Sequence, residues 1–136
     1  IGAVVCNEKT AGVLGFGDHG TTFGGNPVSC AGARVVLDKV ANDAFLQSVA
    51  AKGEKIMAVM GAIQSEKIVE VRGKGMMIAI QLTEDTPAKD MVLSLLEKGV
   101  VVLTAGRNSI RLLPPLTISD AELDQALASI QEVLQA

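Results

Sequence analysis

A glycine-rich stretch near the start of the chain limits what this part can fold into. Six glycines lie between residues 11 and 26, and the stretch ends at Asn26-Pro27. Because glycine loses much conformational freedom when it is ordered, such a run favours a loop over a helix or a strand. Asn26-Pro27 favours a helix start, since asparagine caps the first turn and proline needs no N–H partner there.

Beyond the loop, the hydrophobic pattern has a helical period and then alternates. A helix from Asn26 through Lys39, broken at Asn42-Asp43, is followed by a second helix that reaches Met60. The remaining pattern predicts strands 68–72 and 76–81 around Gly73-Lys74-Gly75, a helix capped by Thr86-Pro87 and ending at Lys98-Gly99, strands 100–103 and 109–113, and a helix opened by the capping box Ser119–Glu122.

This order predicts an α+β fold. From residue 64 onward it is β-β-α-β-β-α, typical of an antiparallel sheet with helices on one face. The apolar residues 1–6 predict a further, buried strand. Because the chain begins at Ile1 inside this apolar run, we expect a piece of a longer protein. Residues 1–26, 27–63 and 64–136 are expected to form three parts.

Charge and composition argue against several classes of protein. The net charge is −3 and only 2% of residues are aromatic, which disfavours a nucleic-acid surface. No apolar run reaches the roughly 18 residues of a membrane span. Cys6, Cys30 and His19 have no zinc-ligand spacing, so we expect no metal, two reduced thiols and a cytoplasmic protein.

The glycine-rich loop carries groups that could bind an anion. Residues 15–20 match the dinucleotide pattern G-x-G-x-x-G, but residues 21–27 cannot continue as the helix this pattern requires. Thr21 and Thr22, with the backbone N–H groups around Gly20, are good donors to a phosphate. The alternative is that both threonines merely cap turns, with Asp18 and His19 as ordinary loop residues.

Four segments resemble the class III (ornithine-type) aminotransferases. Gly17–Pro27 resembles the family motif G-x-H-G-[ST]-T-[FY]-G-G-N-P, and Arg72–Met77 resembles the R-G-x-G hairpin. Ile1-Gly2-Ala3 is similar to the end of the lysine signature, and Asn108–Leu116 is similar to the late arginine strand. The matches occur in family order and extend over nearly the whole chain.

The resemblance implies a pyridoxal 5'-phosphate enzyme that works as a homodimer with shared active sites. It implies that Thr22 binds the cofactor phosphate of the opposite subunit, that Thr21 lies near substrate, and that Arg111 binds the substrate α-carboxylate. An outward Arg111 in a surface salt bridge is the alternative, because strand alternation places it opposite Ile110 and Leu112. Residues 64–136 would be the C-terminal small domain of a fold-type I enzyme, and residues 1–26 the end of its large domain.

The same resemblance implies that the chain has no catalytic residue of its own. The Schiff-base lysine lies ahead of Ile1 in the family, and no lysine of this chain is in a matching motif, so the chain alone is expected to be inactive. The motifs are most similar to the sub-family that transfers an amino group between N-acetylornithine and 2-oxoglutarate in arginine biosynthesis. Enzymes for ornithine or 4-aminobutyrate, a free-standing α+β ligand-binding module and a purely dimerising domain are the alternatives.

Overall fold

Two helices precede the first strand of the sheet in the chain. A third helix lies between the second and third strands, and a fourth follows the last strand. The computed structural model describes all 136 residues, which form two compact units, Ile1–Phe45 and Leu46–Ala136. The elements are α1 (Pro27–Val40), α2 (Asp43–Gly61), β1 (Ile68–Lys74), β2 (Met77–Leu82), α3 (Ala88–Glu97), β3 (Leu103–Ala105), β4 (Ser109–Leu112) and α4 (Asp120–Gln135).

The start of α1 confirms the predicted cap. Asn26 has extended backbone, and its Oδ1 accepts a hydrogen bond of 3.0 Å from the Ser29 N–H. Pro27 follows as the first helical residue, where its missing N–H leaves no bond unmade. The break between α1 and α2 lies at Asn42, whose Oδ1 accepts from the Phe45 N–H at 3.0 Å. Local capping chemistry therefore fixes the start of both helices.

The prediction of a buried strand over residues 1–6 is wrong. These residues have no regular structure, and all six are exposed. A β-strand needs a neighbouring strand to pair its backbone N–H and C=O groups. All four strands of this chain belong to one sheet in the second unit, so residues 1–6 have no partner strand in their own unit.

The sheet is antiparallel throughout, as expected, with the strand order β1-β2-β4-β3. The predicted hairpin forms with its turn one residue later, because Lys74 still pairs with Met77. Gly75 at the turn has φ +56°, a left-handed conformation that other residues adopt at a cost. The α+β prediction is confirmed.

The strand predicted over residues 100–103 is displaced toward the C-terminus. The observed β3 begins at Leu103 and pairs with β4 from Leu103↔Arg111 to Ala105↔Ser109. Its end is set by the turn at Gly106, with φ +56°. Apolar character marks burial, as at Val102, but the position of this turn decides which residues pair.

The two faces of the sheet differ. One face packs Ile78, Ile80 and Leu82 of β2 and Ile110 and Leu112 of β4 into a single cluster with buried residues of α2, α3 and α4. The opposite face, here called the open face, carries Arg72, Met77, Ala79, Gln81 and Arg111, which are not in that cluster. The expected antiparallel sheet with helices on one face is confirmed.

The predicted capping box is present at the start of α4, and the stability that its glutamate contributes depends on pH. The Ser119 Oγ accepts from the Glu122 N–H at 3.2 Å, and the Ser119 N–H and Oγ–H donate to Glu122 Oε2 at 2.9 and 2.6 Å. These bonds from Ser119 hold the pKa of Glu122 below its ordinary value.

We expect Glu122→Gln to lower the melting temperature slightly near neutral pH. A depressed carboxyl pKa stabilises the fold above the unfolded-state pKa, and this stabilisation is lost as the pH falls through the folded-state pKa. The difference in melting temperature between wild type and variant should therefore vanish in acid. Thermal unfolding from about pH 7 to about pH 2 measures it, and a difference that persists at the acid end would contradict the assignment.

Candidate functional site

Arg111 lies in the middle of the open face. It belongs to the central strand β4, where it is directly opposite Ala79 of β2 and Leu103 of β3. Its side chain is half-buried. Ile110 and Leu112 on either side are buried in the cluster on the other face, so strand alternation fixes Arg111 on the open face.

The Arg111 guanidinium has no acceptor within the chain. Its Nε is a buried donor without a hydrogen-bond partner, and Arg111 forms no salt bridge. The other arginine of this face, Arg72, donates to Glu70 Oε2 at 2.9 Å. Buried donors are almost always satisfied in folded proteins, and a guanidinium fork matches a carboxylate through two parallel bonds. An anion from outside the chain would supply the acceptor that the Arg111 guanidinium lacks.

Next to Arg111 a polar pair ties β2 to β4. The Ser109 Oγ–H donates to Gln81 Oε1 at 2.8 Å, and Gln81 Nε2 donates to the Asn108 carbonyl at 2.9 Å. Ser109 is 1% exposed, so its hydroxyl depends on this partner. The pair holds the strand that carries Arg111 in register.

Asn108 connects the start of β4 to the start of α3. Its Nδ2 donates to the carbonyls of Thr83 and Thr86 at 2.8 and 3.0 Å, and its Oδ1 accepts from the Ala88 N–H at 2.7 Å. The prediction that Thr86-Pro87 caps α3 is wrong, because Pro87 is the N-cap residue and makes no side-chain cap bond. A side chain 20 residues farther along the chain supplies the cap instead.

The threonine pair of the first unit lies on an exposed loop. Neither the Thr21 nor the Thr22 hydroxyl has a hydrogen-bond partner in the chain, so neither caps a turn and both face solvent. Gly24 lies close to Thr21, because a Cβ there would lie 2.2 Å from Thr21 Cγ2 in its present rotamer. Asn26 closes the loop by donating from Nδ2 to the Phe23 carbonyl at 2.8 Å.

The rest of the loop agrees with the sequence-based interpretation. No helix follows Gly20, since residues 21–26 are irregular and α1 begins only at Pro27, so the dinucleotide pattern has no structural basis. Asp18 Oδ2 accepts from the Gly15 N–H at 2.6 Å, as a turn-forming residue does. Thr21 and Thr22 belong to the first unit, and Arg111 belongs to the second.

An apolar cleft of the second unit is not the candidate site. It has a volume of about 360 Å³ and is lined mainly by apolar residues of α4 and of the segment around Pro114-Pro115. Its charged groups are occupied: Lys98 Nζ donates to Glu132 Oε1 at 2.6 Å, and Glu122 serves the capping box. The cleft therefore has no unpaired charged group to select a ligand.

Sequence reasoning missed Asn108, Gln81 and Ser109 as supporting residues and Ala79 as the neighbour of Arg111. Asn108 and Ser109 were visible only as the start of the arginine strand. Their roles depend on strand register and on bonds between residues more than 20 positions apart. The one available signal was the alternation that places Ser109 and Arg111 on the same face.

Comparison with known proteins gives a consistent result. The family model for aminotransferase class-III matches residues 1–134. The mitochondrial acetylornithine aminotransferase of Saccharomyces cerevisiae is 34% identical over 100% of this chain and 32% of its own length. The acetylornithine aminotransferase of Caldanaerobacter subterraneus is 40% identical over 98% of this chain and 34% of its own length.

Solved structures agree with these relatives. The acetylornithine aminotransferase of Elizabethkingia anophelis superposes with a TM-score of 0.78 at 34% identity, over 90% of this chain and 33% of that one. The ornithine aminotransferase of Toxoplasma gondii, a structure with partial occupancy of PLP at the active site, gives a TM-score of 0.81 at 29% identity over 90% of this chain and 30% of that one.

The fold of this chain is thus one found within PLP aminotransferases. The chain belongs to the class-III aminotransferase family. It spans about a third of the length of the relatives that it matches. None of its four helices has the length and hydrophobicity needed to cross a bilayer.

Proposed function

We propose that this chain supplies the carboxylate-binding strand and the phosphate-binding loop of an acetylornithine aminotransferase. The proposed reaction moves an amino group between N-acetylornithine and 2-oxoglutarate in arginine biosynthesis. The observation that carries the proposal is the buried, unpartnered Nε of Arg111 on the open face, because both substrates present a carboxylate to such a group. The names of the relatives supply the sub-family.

The donor chemistry of the loop fits pyridoxal 5'-phosphate. The free hydroxyl of Thr22 is assigned to the cofactor phosphate, and that of Thr21 to the substrate side. When bound, the cofactor supplies an electron sink for the carbon that loses its proton. Arg111 holds the α-carboxylate and thereby orients that carbon. The lysine that links to the cofactor is assigned to a part of the protein outside this chain.

The assembly is proposed to be a homodimer in which Thr22 serves the partner's cofactor. In support, residues 1–25 are all exposed, and they include large apolar side chains such as Val5 and Phe16 that favour burial against another surface. Residues 1–26 are assigned to the large domain, 27–63 to connecting helices and 64–136 to the small domain. A cytoplasmic location is supported by the free thiols of Cys6 and Cys30.

Ornithine is the second candidate amino donor. A protein of Staphylococcus saprophyticus named ornithine aminotransferase 1 is 38% identical over 99% of this chain. Assay of the complete protein with N-acetylornithine and with ornithine at matched concentrations distinguishes the two. A higher kcat/KM for N-acetylornithine is expected, and a preference for ornithine would replace the proposed donor.

Thr22→Val in the complete protein is expected to weaken cofactor binding about 10-fold or more, because a hydrogen bond to a charged group contributes about 1.5–3 kcal/mol. Valine keeps the shape of threonine and removes only the hydroxyl donor. Equilibrium dialysis of pyridoxal 5'-phosphate measures the change. Thr22→Ser, which restores the hydroxyl, should bind like wild type. An unchanged cofactor Kd for Thr22→Val would remove Thr22 from the phosphate site.

A further inference from the structure

Ala79 is an unusual residue for its position. It lies in the middle of β2, one of the two central strands, and its side chain is half-buried on the open face. Central strands favour β-branched and aromatic residues, which pack against cross-strand neighbours, and alanine is depleted there. Departures from a local preference of this kind are expected at functional sites.

The neighbours of Ala79 suggest why it is small. It is directly opposite Arg72 on β1 and directly opposite Arg111 on β4, so the three side chains form one row across the open face. With strands about 4.8 Å apart, the two arginine Cα atoms are roughly 10 Å from each other. The alanine therefore lies between two like charges. Its side chain ends at Cβ, so Ala79 itself places no atom in the space above that carbon.

Only one of the two arginines in this row lacks a partner for its side chain. Arg72 is bonded to Glu70 at 2.9 Å, whereas Arg111 has a buried Nε without a partner. Directly opposed Cβ atoms in a sheet are about 4.5–5.5 Å apart, so a branched side chain at position 79 would contact the methylene stem of Arg111. It would occupy the space on the β2 side of the guanidinium.

We propose that Ala79 is a positioning residue that keeps the β2 side of Arg111 open, so that the guanidinium can receive a ligand carboxylate from above Ala79. The proposal rests on the proposed function, since it names where the substrate carboxylate lies. The ligand class is a small carboxylate whose carbon chain extends over β2. Ala79 contributes by its lack of volume, with no polar contact of its own.

The test uses the Arg111 Nε–H as a reporter in two-dimensional ¹H–¹⁵N NMR spectra of the complete protein, with glutarate as the probe. The signal is assigned by its disappearance in Arg111→Gln. Ala79→Val is expected to raise the melting temperature, because valine favours strands, while it weakens the glutarate Kd at least about 10-fold. A purely structural role of Ala79 predicts that stability and binding change in the same direction.

Two further variants complete the experiment. Ala79→Gly, which keeps the space, should retain the glutarate Kd within about twofold although it weakens the strand. Met77→Val, on the same strand and face but outside the row, should leave the Kd unchanged. Equal glutarate affinity of wild type and Ala79→Val would overturn the role of Ala79 alone. Absence of any Arg111 response in wild type would overturn that role and the carboxylate assignment together.

Discussion

Replacing Arg111 with glutamine is expected to lower kcat/KM of the complete protein for its carboxylate substrates by about 10²–10³-fold. Two charge-assisted hydrogen bonds from one guanidinium contribute about 1.5–3 kcal/mol each, which accounts for a loss of this size. Arg111 has no salt bridge or hydrogen bond to lose in the folded chain, so the substitution should leave the melting temperature nearly unchanged. Steady-state kinetics with both substrates, together with thermal unfolding, measures the two effects.

Arg72→Gln is the matched control for this prediction. Arg72 lies on the same face and in the same row, but it is exposed and already bonded to Glu70. Surface pairs of this kind contribute about 0–1 kcal/mol, so kcat/KM should change less than about threefold. Equal losses in Arg72→Gln and Arg111→Gln would indicate a general effect of positive charge, and would contradict a specific carboxylate contact at Arg111.

Gly53→Ala is expected to destabilise the second unit by about 2–4 kcal/mol. A Cβ at Gly53 would lie 2.5 Å from the Gly75 carbonyl oxygen and 2.6 Å from its carbon, so α2 or the hairpin turn must move. Both obstacles are backbone atoms, and Gly75 is held in a left-handed conformation. The clash should outweigh the roughly 1 kcal/mol by which alanine exceeds glycine in helix propensity.

Gly61→Ala separates this clash from helix propensity. Gly61 is the last residue of the same helix, and a Cβ there would meet no atom within 4 Å. We expect its free energy of unfolding to stay within about 0.5 kcal/mol of wild type. Urea denaturation of both variants gives the comparison. If Gly53→Ala proved as stable as Gly61→Ala, the close packing of α2 on the hairpin would be refuted.

Local signals in the sequence were sufficient for most of the fold. Asn26-Pro27 and the capping box at Ser119 place two helix starts because each is settled by residues within one turn. The apolar residues 1–6 misled the prediction, since a periodic pattern does not reveal whether a partner strand exists. The start of β3 at Leu103 was missed for a similar reason. Pairing with β4, and not hydrophobicity, decides which residues belong to β3.

The candidate site was only partly accessible from the sequence. Alternation in β4 places Arg111 away from the core, and the family resemblance suggests its role. The sequence could not show that its Nε lacks an acceptor, because that depends on every neighbouring side chain. Nor could it show Ala79 opposite Arg111, since strand register is a property of the folded sheet.

The close approach of Gly53 to Gly75 also limits how the β1–β2 hairpin can move. Because the hairpin tip rests directly on α2, backbone against backbone, the tip cannot bend toward the helix without a steric collision. Ala79 lies four residues beyond that tip on β2. A displacement of the hairpin toward α2 is therefore passed directly to the helix, and the two elements move together in that direction.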